Sequence, residues 1–215
     1  MARTQQQWKN FVEATKVILH GGGEHARVVL DCLQAQGLNV VGLFDPKFSG
    51  SLFGVPQRGA YDPSMERSAL AIVAIGDNAT RKRAAANTKH EFTNAIHPSV
   101  IFSSQSVFGK GNMILHGVIV QAQTRIGNHV IVNTGARIDH DNIINDFVHV
   151  APGAILCGAV EVGEGSFIGA GTVVIPGKKI GAWATIGAGS VVISDVPDRA
   201  VVVGNPARII RYNNE

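Results

Sequence analysis

From residue 96 onward the hydrophobic positions of this chain keep a period of six. Ile96, Phe102, Phe108, Ile114, Val120 and Ile126 open the series, and Val132, Ile138, Ile144, Val150, Leu156 and Val162 continue it. Ile168, Val174, Ile180, Ile186 and Val192 close it, so all seventeen steps fall on an aliphatic residue or Phe. The next position is often small or polar, as at Gly109, Gly127, Asn133, Asp139, Gly163, Gly169, Gly181 and Gly187. The position four places on is mostly small, as at Ser106, Ala136, Ala154, Ser166, Thr172, Ala184 and Ser190. An α-helix repeats every ~3.6 residues and cannot carry a strict six. A single alternating strand of that length lies far beyond what sheets use. Three hexads per turn instead make a triangular coil of short parallel strands, with the large aliphatic and the small residue both pointing inward.

The fold class that follows is a left-handed parallel β-helix of hexapeptide repeats. The hand is taken from known examples of the repeat, because parallel crossovers are otherwise right-handed. Residues eighteen apart then stack on one wall of the prism. One outward column reads Ile101, Ile119, Arg137, Ile155, Val173, Val191, and another reads Met113, Ile131, His149, Phe167, Thr185. Apolar stripes on the outside of a prism need a cover. A neighbouring subunit is the expected cover, with the N-terminal domain or the chain's own tail as alternatives.

Before the repeat the pattern is that of an α/β fold. Residues 16–20 read as a strand, followed by the glycine turn Gly21 to Ala26 and a helix over 27–36 that Gly37 ends. A second strand covers 38–44 and closes on Asp45-Pro46, and a third covers 69–75 and ends at Gly76-Asp77-Asn78. A basic helix with Arg81, Lys82 and Arg83 follows. Strand, glycine turn, helix, strand is half of a doubly wound nucleotide-binding fold. Glycines let the backbone approach a pyrophosphate, and the helix N-terminus offers it unpaired N–H groups. Gly21-x-Gly23-x-x-Ala26 with Asp45 some twenty residues on matches the dinucleotide fingerprint. The ninety-five residues before the repeat hold one mononucleotide half, so a nucleoside diphosphate fits better than a dinucleotide.

Composition narrows the function classes. A net charge of +3, with scattered Lys and Arg, gives no basic patch for nucleic acid. Cys32 and Cys157 sit in apolar runs without disulfide or metal-ligand spacing, which points to a reducing compartment. The start MARTQQQWKNFVEATK lacks the apolar core of a signal peptide, and no apolar run approaches membrane-span length. The expectation is a cytoplasmic protein that does not insert into a membrane.

The candidate chemistry lies inside the repeat, where Asp139-His140-Asp141 interrupts a structural stretch. His140 comes two places after the inward Ile138, so it projects outward at a corner. A nucleophile that loses a proton as its new bond forms can pass it to an imidazole, whose pKa near ~6.5 suits a base at neutral pH. A carboxylate on the other ring nitrogen fixes the tautomer and stabilises the imidazolium. Either Asp139 or Asp141 can supply it. A glycine near the groove can offer the N–H that a developing oxyanion needs. A zinc enzyme on the same solenoid needs closely spaced histidines, whereas His116, His129, His140 and His149 lie thirteen, eleven and nine apart. A non-catalytic scaffold leaves the Asp-His-Asp corner unexplained.

The whole pattern resembles one family. The glycine turn 21–25, Phe44-Asp45, Ile75-Gly76-Asp77-Asn78, His97-Pro98, Asn133-Thr134, Asp139-His140-Asp141 and Gly204-Asn205-Pro206-Ala207 are together similar to the bacterial nucleotide-sugar N-acetyltransferases. These acetylate a 4-amino sugar of the bacillosamine or perosamine type and are related to the sialic acid O-acetyltransferases. The resemblance implies a nucleotide-sugar-binding α/β domain over 1–95 and a β-helix acyltransferase domain over 96–215. It implies a homotrimer, acetyl-CoA bound along the β-helix between subunits, no metal, and a UDP-linked 4-amino-4,6-dideoxy sugar on the way to a surface glycan. O-acetylation of a sugar hydroxyl is the alternative activity. Carried over by motif, His140 is the base and Asp141 its acidic partner, where the family often has Glu. Gly23, Glu24, His25, Asp45, Pro46 and Gly76 hold the nucleotide sugar. Glu24 departs from the family's usual Gly, and a carboxylate beside a pyrophosphate repels it unless it points away. His149 hydrogen-bonds near the acetyl group, Gly158 offers an oxyanion N–H, and Ala170 and Ala188 line the coenzyme track.

Overall fold

The computed structural model describes residues 15–48 and 50–213. Residues 1–14, where no signal-peptide core is expected, lie outside them. Strand β1 (Lys16–His20) runs parallel to β2 (Asn39–Phe44) on one side and to β5 (Leu70–Val73) on the other. Helix α1 (Glu24–Ala35) follows the glycine turn, and α2 (Asn78–Asn87) follows β5. Helix α1 begins three residues earlier than the hydrophobic pattern predicts. Gly23 is its N-cap, without a side-chain hydrogen bond, so the usual Ser, Thr or Asp signal is missing.

Two further strands extend the sheet, β3 (Gly50–Leu52) and β4 (Val55–Gln57), in the order β3-β4-β2-β1-β5. They form a hairpin that the sequence pattern does not predict. Its two turn residues, Phe53 and Gly54, both have positive φ (47° and 80°), as a two-residue hairpin turn requires. Phe in that role hides the signal that Asn-Gly or Asp-Gly carries.

From Ala95 on, the chain coils into seventeen two-residue strands, and each ends on one residue of the period-six series. Equivalent residues pair eighteen apart, Ile119 with Arg137 and His149 with Phe167, which builds three parallel walls. The inward residues make one continuous core from Ile114 to Val202. The small inward position is polar at Asn112, Thr124, Asn142, Ser166, Thr172 and Ser190, all fully buried. Their side chains bond corner backbone, as Thr124 Oγ1 does to the Asp139 carbonyl (2.8 Å) and Ser166 Oγ to that of Gly181 (2.6 Å). Each corner turns through a left-handed residue three places after the inward aliphatic, in an unbroken series of six from 111 to 189. Eight of the fourteen are Gly, which meets that conformation without steric cost.

The two apolar columns have different covers. Met113 and Ile131 are fully buried in one cluster with Val29, Leu30 and Leu33 of α1. For that wall the expected neighbouring subunit gives way to the chain's own N-terminal domain. On the other wall Ile101 stays 66% exposed, and Ile119, Ile155, Val173 and Val191 are half-buried.

Helix α2 fastens the α/β part to one edge of the solenoid. Arg81 is fully buried and makes five hydrogen bonds, none to a carboxylate. Its Nε and Nη2 reach the carbonyls of His129 and Phe147, which lie one coil apart, and Asn78 Nδ2 reaches that of Gly165 on the next coil. Arg81 Nη1 donates to Ile75 and Gly76, so the loop after β5 is locked to the solenoid edge. Among the described residues no helix is long and apolar enough to cross a membrane.

Candidate active site

The glycine turn sits at the carboxyl ends of β1, β2 and β5, where strands of an open α/β sheet gather their binding loops. Gly23, Glu24, His25, Asp45, Pro46 and Gly76 all line one cavity of about 430 Å³, joined by His20, Phe44, Lys47, Phe48 and Ile75. Asp45 holds the turn: its Oδ2 accepts from the Gly22 N–H and its Oδ1 from the Lys47 N–H, both at 2.9 Å. The N–H groups of Glu24 and His25, in the first turn of α1, find no acceptor within the described residues. A helix start with free N–H groups is an anion site. Glu24 is exposed at its rim.

A second cavity, of about 500 Å³, opens across Gly76 between α2 and the solenoid. Gly76, Asn78, His149, Phe167, Trp183 and Thr185 line it. The motifs do not name Trp183. It stands at a left-handed corner position where Gly is usual, and that exchange is its one sequence signal. His149 is buried between the two parts of the chain, its ring 6.1 Å from that of His25. Burial, the Arg81 charge and His25 push its pKa down to about 3, and burial and Arg81 push that of His25 down to about 4. Both rings are therefore neutral at pH 7 and act through hydrogen bonds, not charge.

His140 lies elsewhere. Its corner joins Arg137–Ile138 on one wall to Ile143–Ile144 on the next, opposite the wall that carries His149. His140 Nδ1 is 2.7 Å from Asp141 Oδ2, while Asp139 Oδ1 accepts the His140 backbone N–H at 2.8 Å. Of the two carboxylates left open by the sequence, Asp141 takes the ring and Asp139 the backbone. The Asp141 hydrogen bond, then the nearby Asp139 charge, raise the His140 pKa above its ordinary value. From inside the prism, fully buried Asn142 holds the Asp139 carbonyl at 2.9 Å and that of His140 at 3.1 Å.

Gly158, one coil after His140, is the floor under the ring. A Cβ there would lie 2.6 Å from His140 Cε1 and 2.7 Å from Nε2. Its carbonyl accepts from Gly177, while its own N–H has no acceptor among the described residues. Gly158→Ala is expected to push the ring off Asp141 and lower kcat by about 10²-fold, within the range of general-base catalysis. The melting temperature should move little, since the atoms nearest the added methyl belong to the exposed His140 ring, which can swing away; a kcat equal to wild type would show that the ring does not need this floor.

The four residues expected along the coenzyme track fall in three places. His149 joins Gly76 and His25, Gly158 joins His140, and Ala170 and Ala188 stack one coil apart on the remaining, exposed corner. Among the described residues no three His, Cys, Asp or Glu side chains gather as a metal site.

Residues 16–88 match the family of the PglD N-terminal domain. A perosamine N-acetyltransferase from Caulobacter crescentus, solved with CoA and GDP-perosamine, is 38% identical over 91% of this chain and 97% of its own, with a TM-score of 0.87. The acetyltransferase domain of PglB from Neisseria gonorrhoeae, solved with acetyl coenzyme A, is 33% identical over 91% and 98%, with a TM-score of 0.86. WeeI from Acinetobacter baumannii, at 23% identity and a TM-score of 0.82, shares the fold. No curated protein sequence matches the chain. An α/β half-fold joined to a left-handed β-helix, matched along nine-tenths of the chain by acetyltransferases solved with CoA or acetyl coenzyme A, makes this protein an acyltransferase. The chain belongs to the hexapeptide-repeat nucleotide-sugar N-acetyltransferases, the family of the perosamine enzyme and the PglB domain.

Proposed function

We propose that the protein transfers acetyl from acetyl-CoA to the 4-amino group of a nucleoside-diphosphate-linked 4-amino-4,6-dideoxy sugar. The observation that carries this reading is the His140–Asp141 pair, 2.7 Å apart, on the scaffold of this family. In the proposed step the amine nitrogen attacks the thioester carbonyl while His140 Nε2 takes its proton. Asp141 holds the proton on Nδ1 and stabilises the imidazolium. The Gly158 N–H faces the oxyanion. The C–S bond then breaks, and the CoA thiolate leaves with the proton that His140 returns.

The nucleotide lies in the glycine-turn cavity with its diphosphate at the start of α1, and the sugar crosses Gly76 toward His149. His140 of the same chain is across the solenoid from that point. Catalysis therefore takes place between copies, one giving the nucleotide cavity and the other the base, in a homotrimer that covers the Ile119 and Ile155 wall. Coenzyme A runs along the solenoid past Ala170 and Ala188. The product feeds a bacterial surface glycan from the cytoplasm.

The test is thiol release from acetyl-CoA over a panel of UDP-, GDP- and dTDP-linked 4-amino sugars, matched hydroxyl sugars and free amino sugars. The UDP expectation from the sequence and the GDP-perosamine bound by the Caulobacter relative name different best substrates. Turnover of free sugars alone would sink the reading. Turnover of the hydroxyl sugars alone would make the enzyme an O-acetyltransferase.

A further inference from the structure

Behind the nucleotide cavity stands a set of side chains that neither the glycine turn nor the His140 corner uses. His20 ends β1 and lines the cavity beside Gly21, Phe44 and Asp45. Its Nδ1 lies 2.8 Å from Thr88 Oγ1. The Thr88 hydroxyl already gives its one proton to the Ala84 carbonyl at 2.8 Å, so toward His20 it accepts. The imidazole proton therefore sits on Nδ1, and Nε2 carries a lone pair.

The ring is also fixed in its plane. It stacks on Tyr61, with centroids 4.6 Å and planes 11° apart. Tyr61 in turn has no freedom. Its oxygen accepts from the Lys89 N–H at 2.8 Å and gives its proton to His90 Nδ1 at 2.7 Å. His90 accepts there because its Nε2 faces the carbonyls of Met65 and Glu66, each at 3.2 Å, and keeps its proton for them. A ring held at Nδ1 and on one face cannot turn Nε2 away. Among the described residues Nε2 has no hydrogen-bond partner and is not a sealed atom, and the residue that carries it lines the cavity.

We propose that His20 determines which nucleoside the cavity accepts: its Nε2 is a fixed acceptor for an N–H of the base or an O–H of the ribose. This rests on the nucleotide-sugar reading above. Burial lowers the His20 pKa, with the Asp45 carboxylate pulling the other way, and the ring is neutral at pH 7. Asp45 adds a second acceptor to the same cavity. Two acceptors favour a nucleoside edge that offers donors over one that offers carbonyls, which would be left facing lone pairs.

Calorimetry on the full chain tests this with UDP and GDP, their 2′-deoxy and 3′-deoxy forms, and 3-methyluridine and 1-methylguanosine diphosphates. His20→Phe keeps the stack on Tyr61 and removes the acceptor; it should weaken the preferred nucleotide by about 3–10-fold, the worth of one neutral hydrogen bond. One loss seen with the wild type should vanish in His20→Phe, as a double-mutant cycle requires of two groups in contact. If that loss is a deoxy one, the donor is a ribose hydroxyl; if it is a methyl one, the donor is a base N–H. Thr88→Val, which frees the tautomer, should give a smaller loss on the same analogue and serves if His20→Phe does not fold. Wild-type affinity in both variants, or analogue losses that persist in full, would overturn the role of His20. If the wild-type chain binds neither UDP nor GDP, the nucleotide-sugar reading falls with it; if it binds and the variants do not differ, only the role of His20 falls.

Discussion

Replacing His140 by alanine should lower kcat by about 10²–10⁴-fold, the share that a positioned general base supplies. The affinity for acetyl-CoA should change little, because the imidazole acts on a proton and not on the pantetheine. The pH profile separates this role from a structural one. A base works only when neutral, so activity falls as the pH drops through the His140 pKa. Asp141 and Asp139 raise that pKa above the ordinary imidazole value, and the acid limb should begin above it. In His140→Ala the limb should vanish. Asp141→Asn removes the largest cause of the shift and should move the limb down toward the ordinary value, with a smaller loss of kcat. Asp141 has φ of 57°, a conformation that Asn also tolerates, so this variant keeps the corner's backbone. Asp139→Asn should move the limb less, since Asp139 holds the His140 N–H and not the ring. A His140→Ala enzyme with normal kcat and an intact acid limb would reduce Asp139-His140-Asp141 to a solvated corner.

The parts of this picture that were legible in the sequence share a physical cause. Each coil must place an aliphatic residue in a narrow prism, so the period of six had no room to drift, and every step from Ile96 to Val192 lies where the count puts it. That Gly23, Asp45 and Gly76 would line one cavity was legible because βα loops gather at one edge of a sheet, although fifty-three residues separate the first from the last. What the pattern lacked was the identity of the cover. An outward apolar column looks the same whether a subunit or the chain's own helix lies on it, and Met113 and Ile131 turned out to face α1. Turn chemistry hid the β3–β4 hairpin, since Phe53 takes a role that Gly or Asn advertises. The choice between Asp139 and Asp141 needed side-chain geometry that alternation does not contain. One relation was present and follows from counting alone. His140 and His149 are nine residues apart, half of an eighteen-residue coil, which puts them on opposite sides of the prism.

That half-coil separation has a consequence for activity when two defective chains are mixed. Suppose one chain carries His140→Ala and keeps its nucleotide cavity. A second keeps His140 but has the cavity obstructed by Gly23→Leu: Gly23 lines that cavity, its φ of −73° suits any residue, and a Cβ there would meet nothing within 4 Å, so the side chain has room to enter the space. Each should be nearly inactive alone. If the base of one copy serves the cavity of the next, refolding them together in equal amounts should create some interfaces that hold both intact halves. Random assembly of a cyclic oligomer gives about one quarter of such interfaces, so about a quarter of wild-type activity should return. If base and cavity served each other within one chain, no mixture would recover anything. Ile119→Asp is the control on assembly. A carboxylate on the half-buried Ile119 wall has no partner there, and burying it unpaired costs several kcal/mol. That variant should sediment as a monomer, lose activity by itself, and abolish the recovery when placed in both chains. Normal activity from a monomeric Ile119→Asp chain that keeps both His140 and its cavity would place the working site inside one chain and leave the exposed wall without a catalytic role.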